Sequence, residues 1–191
     1  MTTKLIVLDR DGVLNRLIPR FPDKPPESPL SLAEVALLPR VASDVRRLCD
    51  AGFTLAIATN QPSVAKGTAS LEVLHQIHQA IVAMAESEGG KIHSSHICFH
   101  RAEDGCDCRK PKPGLLLEAL TQTPDARPET SWIVGDRATD ILAGVAVRFS
   151  TALVGASWSD ADEQLLAKSG VSPCFRGGSL TAFTDYIVRG D

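Results

Sequence analysis

Two carboxylates two positions apart, Asp9 and Asp11, end the apolar run Leu5-Ile6-Val7-Leu8 and open a turn through Gly12. A short apolar run followed by a polar, glycine-containing turn reads as a buried parallel strand, and ligands of open α/β sheets bind beyond the carboxyl ends of such strands. Residues i and i+2 of an extended backbone share a face, so Asp9 and Asp11 are expected to point into one pocket while Arg10 turns away. Neighbouring carboxylates repel unless a cation or a shared proton offsets them, which suits either a bound metal or divided acid and base roles. An ordinary strand-to-turn junction uses the same residue types, so the pair gains weight only from what the other strand ends carry.

Those ends are also polar. Phe53-Thr54-Leu55-Ala56-Ile57-Ala58 runs into Thr59-Asn60-Gln61, and Trp132-Ile133-Val134-Gly135 runs into Asp136, with Arg137 and Asp140 just beyond. Hydroxyl, amides and a second carboxylate pair suit a phosphate and a divalent cation. Between these segments, Cys98, His100, Cys106 and Cys108 follow the spacing C-x-H-x(5)-C-x-C. Three thiolates and one imidazole complete a tetrahedral zinc set with no open position, hence a structural Zn2+ that holds its loop in shape. The bland alternative is a set of reduced cysteines beside a solvent-facing histidine. Arg109-Lys110-Pro111-Lys112-Pro113-Gly114 follows directly, and cations on a proline-stiffened turn can clamp an anion or merely face water. His75 and His78 are expected on a helix surface or its boundary. His93 and His96 show no ligand spacing, and Cys49 and Cys174 read as small buried apolar residues.

These groups must be positioned by an alternation of strands and helices. Strands are expected at Lys4–Leu8, Phe53–Thr59, His96–His100, Trp132–Gly135 and Thr151–Val154. Helices are expected at Val41–Asp50, Ser70–Glu88, Pro113–Thr121, Thr139–Val145 and Leu180–Val188, with Gly52 and Gly89-Gly90 as stops. The βα alternation predicts an α/β fold, a doubly wound Rossmann-like parallel sheet covered by helices on both faces. A chain of 191 residues, 43% hydrophobic, is expected to form one domain spanning 1–191. The proline-rich run Pro19–Pro29 is a loop or flap, set within 16–30, and the cysteine segment 98–108 is a metal loop. A formal net charge of −3 excludes a general nucleic-acid footprint. No stretch is long and apolar enough to span a membrane, and the first residues show no signal-peptide pattern, so a cytoplasmic monomer is expected.

Taken together, the motifs resemble those of the haloacid dehalogenase-like (HAD) phosphohydrolases. Asp9-Arg10-Asp11-Gly12 looks like the first motif of that superfamily, Thr59-Asn60-Gln61 the second, Lys110 the third, and Gly135-Asp136 with Asp140 the fourth; the match runs from about Lys4 to Val154. The cysteine loop followed by Arg-Lys-Pro is similar to one branch, which holds the D-glycero-D-manno-heptose 1,7-bisphosphate 7-phosphatases and the histidinol-phosphate phosphatases.

The resemblance implies Asp9 as nucleophile, forming an aspartyl-phosphate, and Asp11 as acid and then base. It implies Mg2+ held by Asp9, the backbone carbonyl of Asp11, and Asp136. Thr59 and Lys110 would bind the transferring phosphoryl group, and Asp140 would orient Lys110 or the metal shell. Asn60, Gln61, Arg109 and Arg137 would contact the substrate, Arg137 serving a second anionic group. The intervals between motifs are too short for a large cap domain, so the flap, the loop after Gln61 and the metal loop are left to select the substrate.

Two features lean in opposite directions within the branch. Val64-Ala65-Lys66-Gly67 is similar to the heptose type, and Gly135 to Ile141 to the histidinol-phosphate type, while Pro62-Ser63 departs from the heptose pattern of Ser-Gly at that place. The heptose bisphosphate reading is favoured, with histidinol phosphate as the alternative. A non-catalytic binding protein would have lost a catalytic carboxylate, and all are present. A phosphotransferase would need water excluded from the aspartyl-phosphate, which a capless site disfavours.

Overall fold

The computed structural model describes residues 3–155 and 159–190. Six strands form one parallel sheet: β1 (Lys4–Leu8), β2 (Phe53–Asn60), β3 (Ile92–Cys98), β4 (Trp132–Gly135), β5 (Ser150–Val154) and β6 (Phe175–Gly177), in the order β3-β2-β1-β4-β5-β6. The connecting helices are α1 (Val41–Asp50), α2 (Leu71–Ala85), α3 (Gly114–Gln122), α4 (Ala138–Ala146) and α5 (Asp160–Lys168), and α6 (Leu180–Arg189) follows the last strand. The chain builds outward from β1 to β3, then returns to place β4 on the other side of β1. That reversal opens a crevice at the carboxyl ends of β1 and β4, where a doubly wound sheet binds its ligand.

Strand alternation divides the core in two. Ile6 and Leu8 face α1, α2 and α6 together with Val45, Leu74, Ile77 and Phe183, whereas Leu5 and Val7 face α3 and α4 together with Leu116, Ala119 and Ala143. Both faces of β1 are therefore buried, which is why its sequence is an unbroken apolar run. With both sides packed, the register of β1 on β2 and β4 is tightly specified, and the residues just past its end are fixed relative to both neighbours.

Several expected boundaries move. The third strand occupies Ile92–Cys98 and not His96–His100, so His100 lies beyond the sheet. Its edge position gives the pattern Ile-His-Ser-Ser-His-Ile-Cys, with exposed polar residues that hide its start. The helix expected at Ser70–Glu88 ends at Ala85; Ser70 is its N-cap, accepting from the Val73 amide. Two elements escaped the sequence reading. The strand β6 is three residues long, and α5 has few apolar residues, though the capping box Ser159-x-x-Asp162 marks its start. Cys49 is half-buried and Cys174 exposed, against the expectation that both lie in the core. No helix of the described residues is long and apolar enough to cross a membrane.

Candidate active site

The ends of β1 and β4 remain paired one residue past the strand, where the Asp9 amide donates to the Val134 carbonyl at 2.8 Å. Asp9 and Asp136 thereby emerge side by side, and Asp140 joins them from the first turn of α4. One carboxylate oxygen from each of the three lies within 4.8 Å of the others. Gly12, in left-handed backbone at φ 86°, and Gly135 permit this crowding, because a Cβ on the first would strike the Asp136 carboxylate and on the second that of Asp140.

Lys110 supplies the positive charge. Its Nζ donates to Asp9 Oδ1 at 2.8 Å and to the Ala58 carbonyl at 2.7 Å, and pairs with Asp140 Oδ1 at 2.5 Å. Asn60, at the end of β2, delivers it: the Asn60 amide nitrogen donates to the Lys110 carbonyl and its oxygen accepts from the Lys110 N–H, each at 3.1 Å. Burial alone would lower the Lys110 pKa, but Asp140 and Asp9 outweigh it and hold it above its ordinary value. Burial pushes Asp9 up to about 6 against the pull of Lys110, and burial with the charges of Asp9 and Asp140 pushes Asp136 up to about 8. Three carboxylates thus share one ammonium, and Asp136 Oδ2 is buried without a hydrogen-bond partner. An all-oxygen cluster short of positive charge fits a hard divalent cation such as Mg2+.

Asp11 lines one cavity with Asp9, as expected, but its neighbour is placed otherwise. Arg10 does not turn away: its side chain is fully buried and it pairs with Asp11, Nη2 lying 3.0 Å from Oδ2. Asn15 donates to the same carboxylate at 2.8 Å, Ser28 of the flap at 2.8 Å and Gln61 at 2.5 Å. Burial would raise Asp11, yet Arg10, Asn15 and Ser28 outweigh it and keep the carboxyl below its ordinary value. The acidic cluster is therefore Asp9, Asp136 and Asp140, and the Asp11 side chain stands apart from it. Gln61 was expected to touch substrate; it is buried, bonds Asp11 and the Thr59 hydroxyl, and is not among the residues lining the cavity.

That cavity, about 510 Å³, has Asp9, Asp136, Thr59 and Lys110 at its floor. Arg109 and Arg137 line it as expected, and Leu17 and Pro26 bring the flap to its wall. Lys112 of the proline-stiffened turn lines it too, and the sequence missed one further cation there, Arg101, which only the folded metal loop brings to this rim. The flap is tied to the turn that follows it, with the Arg20 guanidinium paired to both Glu34 oxygens at 2.7 Å, a contact that draws Glu34 down to about 2.

The metal loop closes as its spacing predicts. The sulfur pairs among Cys98, Cys106 and Cys108 lie 3.0 to 3.7 Å apart, and His100 Nδ1 is 3.3 Å from Cys108 and 3.6 Å from Cys98. A tetrahedral Zn2+ with bonds of about 2.3 Å to sulfur needs sulfur atoms about 3.7 Å apart; Cys106 stands close to that distance from both other thiols, Cys98 and Cys108 would part by a few tenths of an ångström, and the donor set of three thiols and one imidazole fits that ion. Burial and the other two thiols push Cys108 up to about 12, a penalty a bound cation would remove. His78 is not on the surface as expected: it is buried on α2, where burial and the Arg10 charge push it down to about 4. His75 is exposed.

A doubly wound sheet carrying an aspartate and lysine cluster at its switch point defines a HAD-like hydrolase, and the HAD-hydrolase-like family model matches residues 107–172. The chain is 36% identical over 151 residues to the D-glycero-beta-D-manno-heptose-1,7-bisphosphate 7-phosphatase of Pseudomonas putida, covering 79% of this chain and 82% of that one. The D-glycero-alpha-D-manno-heptose-1,7-bisphosphate 7-phosphatase of Mycobacterium bovis is 32% identical, over 71% of this chain and 68% of that one. Among solved structures, the D,D-heptose 1,7-bisphosphate phosphatase of B. bronchiseptica, complexed with magnesium and phosphate, superposes with a TM-score of 0.79 at 28% identity, covering 99% of this chain and 100% of that one. The chain belongs to the heptose 1,7-bisphosphate phosphatase family of HAD-like phosphatases.

Proposed function

We propose that the protein is a Mg2+-dependent phosphatase that removes the 7-phosphate of D-glycero-D-manno-heptose 1,7-bisphosphate through an aspartyl-phosphate on Asp9. The observation that carries the reading is Lys110 Nζ bridging Asp9 and Asp140 beside Asp136, at the floor of a cavity rimmed by arginines. The names of the relatives support the choice of sugar, and the cationic rim suits a substrate with two phosphates.

In this reading Asp9 attacks phosphorus and the bond to the sugar oxygen breaks, splitting hydrolysis into two easier steps. Asp11 protonates the leaving oxygen, then takes a proton from the water that attacks phosphorus and frees Asp9. The donors gathered on Asp11 favour its carboxylate, the form the second step uses. Delivering a proton in the first step requires the carboxyl to leave Ser28 and Gln61 and meet the leaving oxygen. Thr59 and Lys110 hold the equatorial oxygens of the transferring group, where fixed donors stabilise the transition state. Asp9, Asp136 and the backbone carbonyl of Asp11 would hold the Mg2+, which when bound offsets the charge of carboxylates and phosphate together. Asp140 keeps Lys110 in place, and Asn60 acts through the Lys110 backbone. Arg109 and Arg137 receive the second phosphate. The Zn2+ held by Cys98, His100, Cys106 and Cys108 shapes the rim. A single domain working as a monomer in the cytoplasm completes the reading; cysteines kept as thiols for metal suit a reducing compartment.

The test is phosphate release with Mg2+ from both anomers of heptose 1,7-bisphosphate beside histidinol phosphate at matched concentration. Preference for either anomer of the bisphosphate is the expected result. Preference for histidinol phosphate would overturn the substrate, and turnover without dependence on Asp9 would overturn the mechanism.

A further inference from the structure

Arg137 stands between the acidic cluster and the cavity rim as the residue before α4, and it is tethered from another element. Its Nε lies 3.0 Å and 3.2 Å from the two carboxylate oxygens of Asp162, in the first turn of α5. Among the described residues its two terminal amino groups make no hydrogen bond, so four N–H donors remain on a guanidinium that is already anchored. The other rim cations are engaged differently. Lys112 spends its ammonium on Asp107 and the Gly105 carbonyl, Arg101 pairs with Asp104 and Glu103, and Arg109 donates to the His100 carbonyl.

Asp162 is suited to anchoring without quenching the arginine. Its side chain is buried and also accepts from the Ala138 amide at 3.0 Å and from the Ser159 amide and hydroxyl at 2.9 Å each. The carboxylate charge is thus spread over the first turns of two helices, whose exposed N–H groups favour an anion. Arginine held at Nε presents its terminal fork to a phosphoryl group with little rotamer freedom left to lose.

We propose that Asp162 is a positioning residue for substrate selection, presenting the terminal amino groups of Arg137 to the second phosphoryl group of a bisphosphate substrate while the first lies between Lys110 and Thr59. The proposal rests on the reading of Arg137 as the contact for that second group, and the experiment separates the two.

KM and kcat are measured for heptose 1,7-bisphosphate and for p-nitrophenyl phosphate, which has a single phosphoryl group, in the native protein and in Asp162→Asn, Arg137→Ala and the double variant. Asparagine leaves one acceptor oxygen where two now serve Arg137 Nε and both helix starts, so the anchor and the caps compete for it. Expected is a rise in KM for the bisphosphate relative to p-nitrophenyl phosphate of about threefold to tenfold in Asp162→Asn, with the double variant no worse than Arg137→Ala alone. Arg137→Lys, which keeps the charge but has no Nε to anchor, is expected to show a similar relative loss. Equal losses on both substrates, no change in Asp162→Asn, full additivity in the double variant, or a native ratio in Arg137→Lys would each overturn the positioning role. An unchanged ratio in Arg137→Ala would instead remove the reading of Arg137 on which it stands.

Discussion

His78 gives the protein a pH-dependent stability that can be worked through from its surroundings. The ring is buried on α2, with Arg10 and His75 disfavouring its charge and Asp11 favouring it weakly; burial is the largest effect, and the folded pKa is pushed down to about 4. In the unfolded chain a histidine titrates near its ordinary value of 6.5. Between those two values the unfolded state binds the extra proton, so stability falls as pH drops from 6.5 toward 4 and is restored as pH rises. At pH 5 the loss amounts to about 2 kcal/mol, approaching about 3 kcal/mol below pH 4. His78→Gln removes the titration, while its packing cost is the same at every pH. Asp9 and Asp136 titrate in both proteins and cancel in the comparison. Urea unfolding at pH 8 and pH 5 is the assay: the native midpoint should shift between the two pH values by about 1 M more than that of the variant, for a slope of about 2 kcal/mol per molar. Equal shifts in the two proteins would refute the buried, uncharged ring.

Further outcomes follow from the site itself. Asp9→Asn should abolish phosphate release with thermal unfolding little changed, and native turnover in that variant would remove Asp9 as nucleophile. Lys110→Met leaves three buried carboxylates without their ammonium, so in Mg2+-free buffer it should lower stability by about 3–5 kcal/mol as well as activity; unchanged unfolding would contradict the buried pairing. Cys106→Ser should lower zinc content and melting temperature together, measured by elemental analysis and calorimetry, because the metal holds four ligands spread over eleven residues of loop. Gly12→Ala should cost most of the activity, since its Cβ would have to displace the Asp136 carboxylate; native kcat in that variant would show that Asp136 has room to move.

The strands β1, β2 and β4 and the helix α1 were legible because their signals are local. Buried parallel strands are unbroken apolar runs, and α1 has a clean amphipathic period ended by Gly52. Edge elements were less legible: β3 alternates with exposed polar residues, β6 is too short to show a pattern, and Phe175 gains its partners, Phe183 and Tyr186, only when α6 folds back.

The chemistry divides in the same way. By residue type and order alone, the sequence determined the acids Asp9, Asp11 and Asp136, the lysine Lys110 and the metal set Cys98, His100, Cys106 and Cys108, because strand ends and ligand spacing are properties of a short stretch of chain. Only the tertiary structure decided how those groups are shared. Arg10 comes back onto Asp11, Gln61 and the flap's Ser28 bond the same carboxylate, Asp140 joins Asp9 and Asp136 around Lys110, and Asp162 reaches Arg137 from a helix the sequence did not disclose. Each of those contacts joins side chains whose direction depends on packing against elements elsewhere in the chain, and no local pattern carries that direction.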